Sequence, residues 1–178
     1  MRPGVEMTPM LRNYLELKAQ YPDAILFYRM GDFYELFFDD ALKVAPLLDL
    51  TLTARQKGSP NEAPMCGVPH HAVAGYIGKL IRLGLKVAVC DQVEDPAQAK
   101  GLVRREVTRV VTPGTLTDDA LLDPRTSNFL ACAFAGKHKI GFAWLELSAG
   151  NFTTTELEPE QLADELGRLN PAECVIAE

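Results

Sequence analysis

The sequence predicts two consecutive α/β units, and three observations carry that expectation. Over the first 111 residues, short apolar strand patterns alternate with helical ones. A turn-rich, acidic stretch follows, to about residue 128. Beyond it, three strand patterns run back to back and are followed by one helix and one strand. The totals agree: 47% of the 178 residues are apolar and 24% are charged, enough apolar material for packed cores. No apolar run approaches the roughly 18–20 residues that cross a bilayer. The opening MRPGVEMTPM lacks the apolar stretch of a secretory signal, so a cytoplasmic protein is expected.

The elements follow in order. Thr8 and Pro9 open a helix as N-cap and first helical residue. Met10, Tyr14, Leu17 (or Leu15) and Tyr21 recur at helical spacing, and Pro22 ends the run. Residues 24–30 (AILFYRM) form a continuous apolar strand, broken by Gly31. Asp32 can cap a second helix reaching about Leu48, with Asp32 and Glu35 matching a capping box. On that helix Tyr34, Phe38, Ala41, Ala45 and Leu48 form one apolar face. Phe33, on another, would be assigned to the core on residue type alone. Residues 51–55 read as a short strand. Residues 57–69 read as loop, holding Gly58, Pro60, Asn61, Pro64, Gly67 and Pro69. A third helix runs from His70 to Leu83 and stops at Gly84. Residues 86–92 (KVAVCDQ) form a buried strand, Asp95-Pro96 starts a short helix, and residues 103–111 form a strand.

Thr112-Pro113-Gly114-Thr115 is a turn signal. The expected organisation is a first domain over 1–115, a linker over 116–127 and a second domain over 128–178. In the second domain, strands at 129–135, 140–147 and 151–157 precede a helix at 160–169 and a strand at 173–177. That order is the opening of a ribonuclease H-like sheet. Such a domain needs further helices and strands, so the sequence reads as part of a longer protein.

Charge is uneven. Residues 55–109 carry nine Lys or Arg against five Asp or Glu, whereas residues 120–178 carry four against nine. A basic segment in a chain of net charge -6 is compatible with a phosphate-facing surface. The four cysteines (Cys66, Cys90, Cys132, Cys174) are scattered with no C-x-x-C pair, as expected of reduced, buried thiols.

One segment is more informative than the rest: FYRMGDFYELFFDDA, residues 27–41. Further along come APMCGVPHHA, YIGKLIRLGLKVAVCDQVEDP, VTRVVTPGT and LLDPRTSNFLA. Together, in this order and spacing, they resemble the N-terminal part of DNA mismatch repair proteins of the MutS family, over roughly residues 7–157. The resemblance implies a mixed-sheet mismatch-recognition domain followed by an incomplete ribonuclease H-like connector. The family's Phe-x-Glu motif falls on Phe33, Tyr34 and Glu35. By resemblance, Phe33 enters the duplex from the minor groove and stacks on a mispaired base, while Glu35 hydrogen-bonds that base. Glu35 can accept from a base N–H; protonated by burial and nearby phosphates, it would donate instead. Met30 is placed to support the wedge, and Arg55 and Lys57 sit in the basic loop. Pro64, Met65 and Gly67 precede a helix whose N-terminus could hold a phosphate. The implied partners are mismatched duplex DNA, a second subunit and a downstream MutL-type repair factor. ATP and magnesium belong to domains beyond this chain.

Other patterns carry less. Adjacent His70 and His71 do not converge on one ion from a helix. Asp91, Glu94 and Asp95 could suggest a metal-dependent nuclease, the alternative function, but Asp95-Pro96 is a good helix start. Glu146 is the only acid within the first two strands of the second domain. No phosphate-binding G-x-x-x-x-G-K-[ST] loop occurs, since Gly78-Lys79 and Gly136-Lys137 lack the rest of it, so no ATP hydrolysis is expected of this chain. Alternation puts Arg105 and Arg109 on one strand face, opposite Arg104, as a solvated surface.

Overall fold

Thr8 starts the first helix as its sequence predicts: its hydroxyl accepts from the Leu11 amide at 3.4 Å, and Pro9 occupies the first turn. In the computed structural model, which describes residues 7–59, 61–94, 101–117 and 121–176, the chain divides into two compact units between Val111 and Thr112.

In the first unit, helix α1 (Pro9–Gln20) leads into strand β1 (Ala24–Met30). Strand β2 (Phe33–Phe37) follows after two residues, where the sequence suggested a helix from Asp32. The correction has a physical cause. Phe33, Tyr34 and Glu35 gain a ladder partner on each side, β1 and β4, Leu36 and Phe37 pair with β4, and sheet pairing outweighs a modest helical preference. Phe38, left-handed at φ 52°, then turns the chain into α2 (Phe38–Leu48). Strand β3 (Thr53–Arg55) pairs with β4 (Ala63–Pro69), a strand where the Gly and Pro content suggested loop. The glycine and prolines of β4 are tolerated because Ala63, Cys66 and Val68 anchor it in the core.

A 3-10 turn at His70–Ala72 leads into α3 (Val73–Arg82), then β5 (Lys86–Gln92) and β6 (Arg105–Val111). The short helix expected at Asp95-Pro96 lies outside the described residues. The six strands run β3-β4-β2-β1-β5-β6, with β1 and β5 parallel and the other neighbours antiparallel. This is the mixed α/β sheet predicted.

Helix α1 packs Met10, Leu11 and Tyr14 against Leu26, Tyr28 and Phe37 on one sheet face. On the other, the Cys66 thiol reaches the Ala41 carbonyl of α2 at 3.9 Å. A buried carboxylate ties these layers together. Asp40 accepts from the Tyr14 hydroxyl at 3.0 Å and the Leu26 amide at 2.9 Å, and pairs with Lys18 at 3.0 Å. A charge this deep is tolerable only when it is paired and hydrogen-bonded.

The second unit is a sheet of order β10-β7-β8-β9, from β7 (Phe129–Ala135), β8 (Ile140–Glu146), β9 (Asn151–Leu157) and β10 (Glu173–Ile176). The first three form an antiparallel meander, and β10 joins β7 in parallel after α4 (Leu162–Leu169), as expected. Leu166 and Leu169 of α4 pack on Ala131, Ala133 and Phe142. The Thr112–Thr115 turn, which the sequence assigned to the first domain, packs here. The Thr112 hydroxyl and the Gly114 amide (3.1 Å) donate to Glu173, and Asn128 donates to the Pro113 carbonyl at 2.9 Å. Cys66 and Cys90 are buried as expected, but Cys132 and Cys174 are exposed. They lie on neighbouring strands of a sheet that α4 covers on one side. No described helix is long and apolar enough to cross a membrane.

Candidate nucleic-acid interface

Gly31 and Asp32 form a two-residue turn, closed by the facing pair Met30 and Phe33. Gly31 is left-handed at φ 58°, a conformation glycine adopts without a Cβ penalty. Two-residue turns beginning with glycine match the twist of the flanking strands. The capping-box reading of Asp32 and Glu35 therefore fails, because the chain reverses here instead of coiling.

The hairpin changes what the Phe-x-Glu triplet can do. Residues two apart share a strand face, whereas on a helix they would diverge by about 200°. Phe33 and Glu35 thus project from the same side of β2, with Met30 facing Phe33 and Tyr28 facing Glu35. Phe33 is 49% exposed, so the core assignment from residue type does not hold for it. The ring stands half in solvent at the hairpin tip, where it is free to meet a partner.

Glu35 is more enclosed: its side chain is 19% exposed and its Oε2 lies 3.3 Å from Nη1 of Arg55. Directly across the ladder is Gly67, where an added Cβ would sit 3.8 Å from the Glu35 Cγ. With only hydrogen there, Arg55 reaches Glu35 from β3 across the intervening β4. Burial pushes the Glu35 carboxyl above its ordinary range, and the positive charges of Arg55 and Arg105 oppose that without cancelling it.

The structure separates the remaining candidates. Tyr34 points to the opposite sheet face. It is 3% exposed, donates its hydroxyl to Asp91 and lies under the Arg29 guanidinium at 5.5 Å. It therefore does not join Phe33 and Glu35. Met65 is half-buried on their face, opposite Phe37, while Pro64 pairs with Ala54 and faces the other way. Pro64, Met65 and Gly67 belong to strand β4, so they do not form the helix-start phosphate cradle that a loop would allow. Lys57 is exposed in the turn after β3.

Arg105 differs from its sequence reading. It is 8% exposed, not solvated. Its partner in the expected pattern, Arg109, lies on the opposite face, because the β5–β6 register shifts between Val89 and Cys90. One extra residue in a strand reverses the alternation beyond it. Arg109 accordingly lines a polar cavity of about 580 Å3 with Arg29, Tyr34, Asp91 and Thr108. No feature of the sequence marks the bulge. The hairpin was better signalled, since Gly-Asp between two apolar runs is a recognised two-residue turn.

Comparison with known proteins decides the family. The family model of MutS domain I matches residues 8–120, and that of MutS domain II matches residues 128–178. The chain belongs to the MutS family. A curated relative, DNA mismatch repair protein MutS of Desulfatibacillum aliphaticivorans, is 51% identical over 174 residues, covering 97% of this chain and 20% of that protein. The chain therefore spans a fifth of that MutS protein's length. The Gly31-Asp32 hairpin, Glu35, Arg55 and Arg105 all fall in the part matched to MutS domain I.

Proposed function

We propose that this chain binds mismatched or unpaired bases in duplex DNA, as the base-reading part of a mismatch repair protein. One observation carries the reading: an exposed aromatic ring at a hairpin tip and a half-enclosed carboxylate two residues later share one strand face. Phe33 is the wedge, entering from the minor groove. Inserting a ring between base steps unstacks and kinks the duplex at a cost of a few kcal/mol. At a mismatch the step is already weakened, so the cost falls. Stacking on the ring returns roughly 1–3 kcal/mol whichever base is present. Discrimination thus rests on deformability, which suits a sensor of many different mismatches.

Glu35 contributes a hydrogen bond to the wedged base. Its raised pKa supports a protonated, donating role beside phosphates, where an ionised carboxylate would be repelled. Arg55, on the same face, supplies positive charge beside it, and Met30 backs the wedge. Lys57 adds to the basic surface. Tyr34 and Pro64 act from the opposite face as supports, and Met65 packs beneath.

The same reading extends to the longer protein. The recognition domain ends at Val111, residues 128–178 with the Thr112–Thr115 turn form the start of the connector, and the residues between are a linker. A second subunit completes the clamp, the connector meets a MutL-type factor, and ATP and magnesium are used by domains beyond this chain, in the cytoplasm. The alternative, a metal-dependent nuclease, has no specific observation behind it. Of the three acids that suggested it, Asp91 accepts from Tyr34 and Thr108 and Glu94 from the Arg104 amide, while Asp95 lies outside the described residues.

The deciding experiment is fluorescence-anisotropy binding at low salt. It compares a paired duplex with one carrying a single unpaired thymine, using the wild type and Phe33→Ala. Preference for the unpaired duplex in the wild type alone supports the wedge. Equal binding of both duplexes by both proteins overturns it.

A further inference from the structure

Arg105 is the buried cation of the first unit that the reading above does not use. All three of its guanidinium nitrogens are engaged. Nε donates to the Arg29 carbonyl at 2.8 Å, Nη1 to the Val103 carbonyl at 2.7 Å, and Nη2 approaches the Met30 sulfur at 3.5 Å. The guanidinium also lies 4.9 Å from the centre of the Tyr28 ring. Three of these four contacts are to consecutive residues of β1: Tyr28, Arg29 and Met30. They are the last residues before the Gly31-Asp32 turn, and each faces a residue of the motif: Tyr28 faces Glu35, Arg29 faces Tyr34 and Met30 faces Phe33.

We propose that Arg105 is a positioning residue for base recognition: it clamps the end of β1 and thereby holds the hairpin on which Phe33 and Glu35 stand. The inference rests on the reading of Phe33 and Glu35 given above. A planar fork that bonds two carbonyls while stacking on a ring fixes direction as well as distance, which a lysine ammonium does not. On the β2 side the tip is held by the His70 amide, which donates to the Asp32 carbonyl at 2.8 Å, and by the pairing of Phe33 with Pro69; Arg105 holds the β1 side. Wedging loads the hairpin with the few kcal/mol of a kinked duplex.

Arg105 acts on Glu35 as well, through charge. The charged or titratable groups facing Glu35 are Arg55 from β3, Arg105 from β6 and Tyr28 from β1. The Tyr28 hydroxyl, bonded to Asn13 of α1 at 2.8 Å and pushed up to about 12 chiefly by burial, stays neutral through the working range. Arg55 and Arg105 are therefore the charges that oppose protonation of Glu35.

The test uses the 178-residue chain labelled for NMR, as wild type, Arg105→Lys and Arg105→Gln. Lysine keeps the charge and loses the fork; glutamine loses both. The backbone order parameters of residues 31–33 are expected to drop in both variants, from roughly 0.85 toward 0.6. The Glu35 carboxyl titration is expected to move up in Arg105→Gln and to stay near the wild type in Arg105→Lys. Damage elsewhere in the fold would not separate the two variants in this way. Unchanged order parameters in Arg105→Lys overturn the clamp, and that variant decides alone where Arg105→Gln fails to fold. Adding the unpaired-thymine duplex then separates the two readings. A Phe33 resonance that responds equally to the fully paired and the unpaired-thymine duplex in the wild type overturns the wedge. One that responds equally in wild type and Arg105→Lys overturns the positioning role while leaving the wedge intact.

Discussion

Glu35 and Arg55 meet over a glycine: the carboxylate Oε2 and the guanidinium Nη1 are 3.3 Å apart, with Gly67 of the intervening strand opposite Glu35. The pair is partly open, with Arg55 37% exposed at its side chain. Its effect on Glu35 is opposed by burial, and burial prevails.

The sign of the resulting pH dependence follows. A carboxyl whose pKa is raised by folding favours the folded state while protonated. That contribution is present below about 4.5, the ordinary glutamate value, and is lost as pH rises through the folded pKa. Glu35→Gln is therefore expected to melt higher than the wild type at pH 7.5, with the gap closing at pH 4. Thermal unfolding at the two pH values checks this. If glutamic acid donates to the base, Glu35→Gln keeps most mismatch binding and Glu35→Ala loses it. Equal loss in both would count against a donating role.

Phe33→Ala separates function from stability. The ring is half exposed, so its removal is expected to change unfolding free energy by no more than about 0.5 kcal/mol. Losing roughly 1–3 kcal/mol of stacking should cost between about fivefold and about 150-fold in preference for an unpaired base. Urea unfolding and anisotropy on the same preparations measure both.

Gly31→Ala tests the turn. A Cβ at φ 58° costs about 1–2 kcal/mol and meets no neighbour, so the penalty is conformational and not steric crowding. A chemical-denaturation loss in that range, with Phe33 chemical shifts displaced, is the expected result.

Asp40→Ala removes the acceptor shared by Tyr14, Leu26 and Lys18. Breaking a buried pair while leaving its donors unsatisfied costs about 3–5 kcal/mol. Asp40→Asn keeps a carbonyl acceptor and should lose less. The urea midpoints of the two variants give the comparison.

Thiol labelling checks the two sheets independently. Cys132 and Cys174 are exposed and should react readily at pH 8. Cys66 and Cys90 are buried, and burial pushes their thiols up to about 11 and about 12, so they should react only on unfolding. A native count near two, rising to four in denaturant, is expected.

Local pattern was enough for much of this protein. Thr8-Pro9 determined where α1 begins, the run AILFYRM determined a buried strand, and three strand runs followed by a helix determined the second sheet. These elements are legible because burial on one face imposes a period on the residues that form it. The quoted motifs determined the family.

Tertiary structure decided the site. The segment from Phe33 to Phe37 suits a helix or a strand by composition, and only pairing with β1 and β4 settled it; that pairing brings Phe33 and Glu35 to one face. Arg105 and Arg109 look alike in sequence, yet a one-residue register shift buries the first under the hairpin and leaves the second exposed. The physical reason is common to both. Strand register is a relation between distant segments, and which face a side chain takes is fixed by the partner strand and not by its own neighbours.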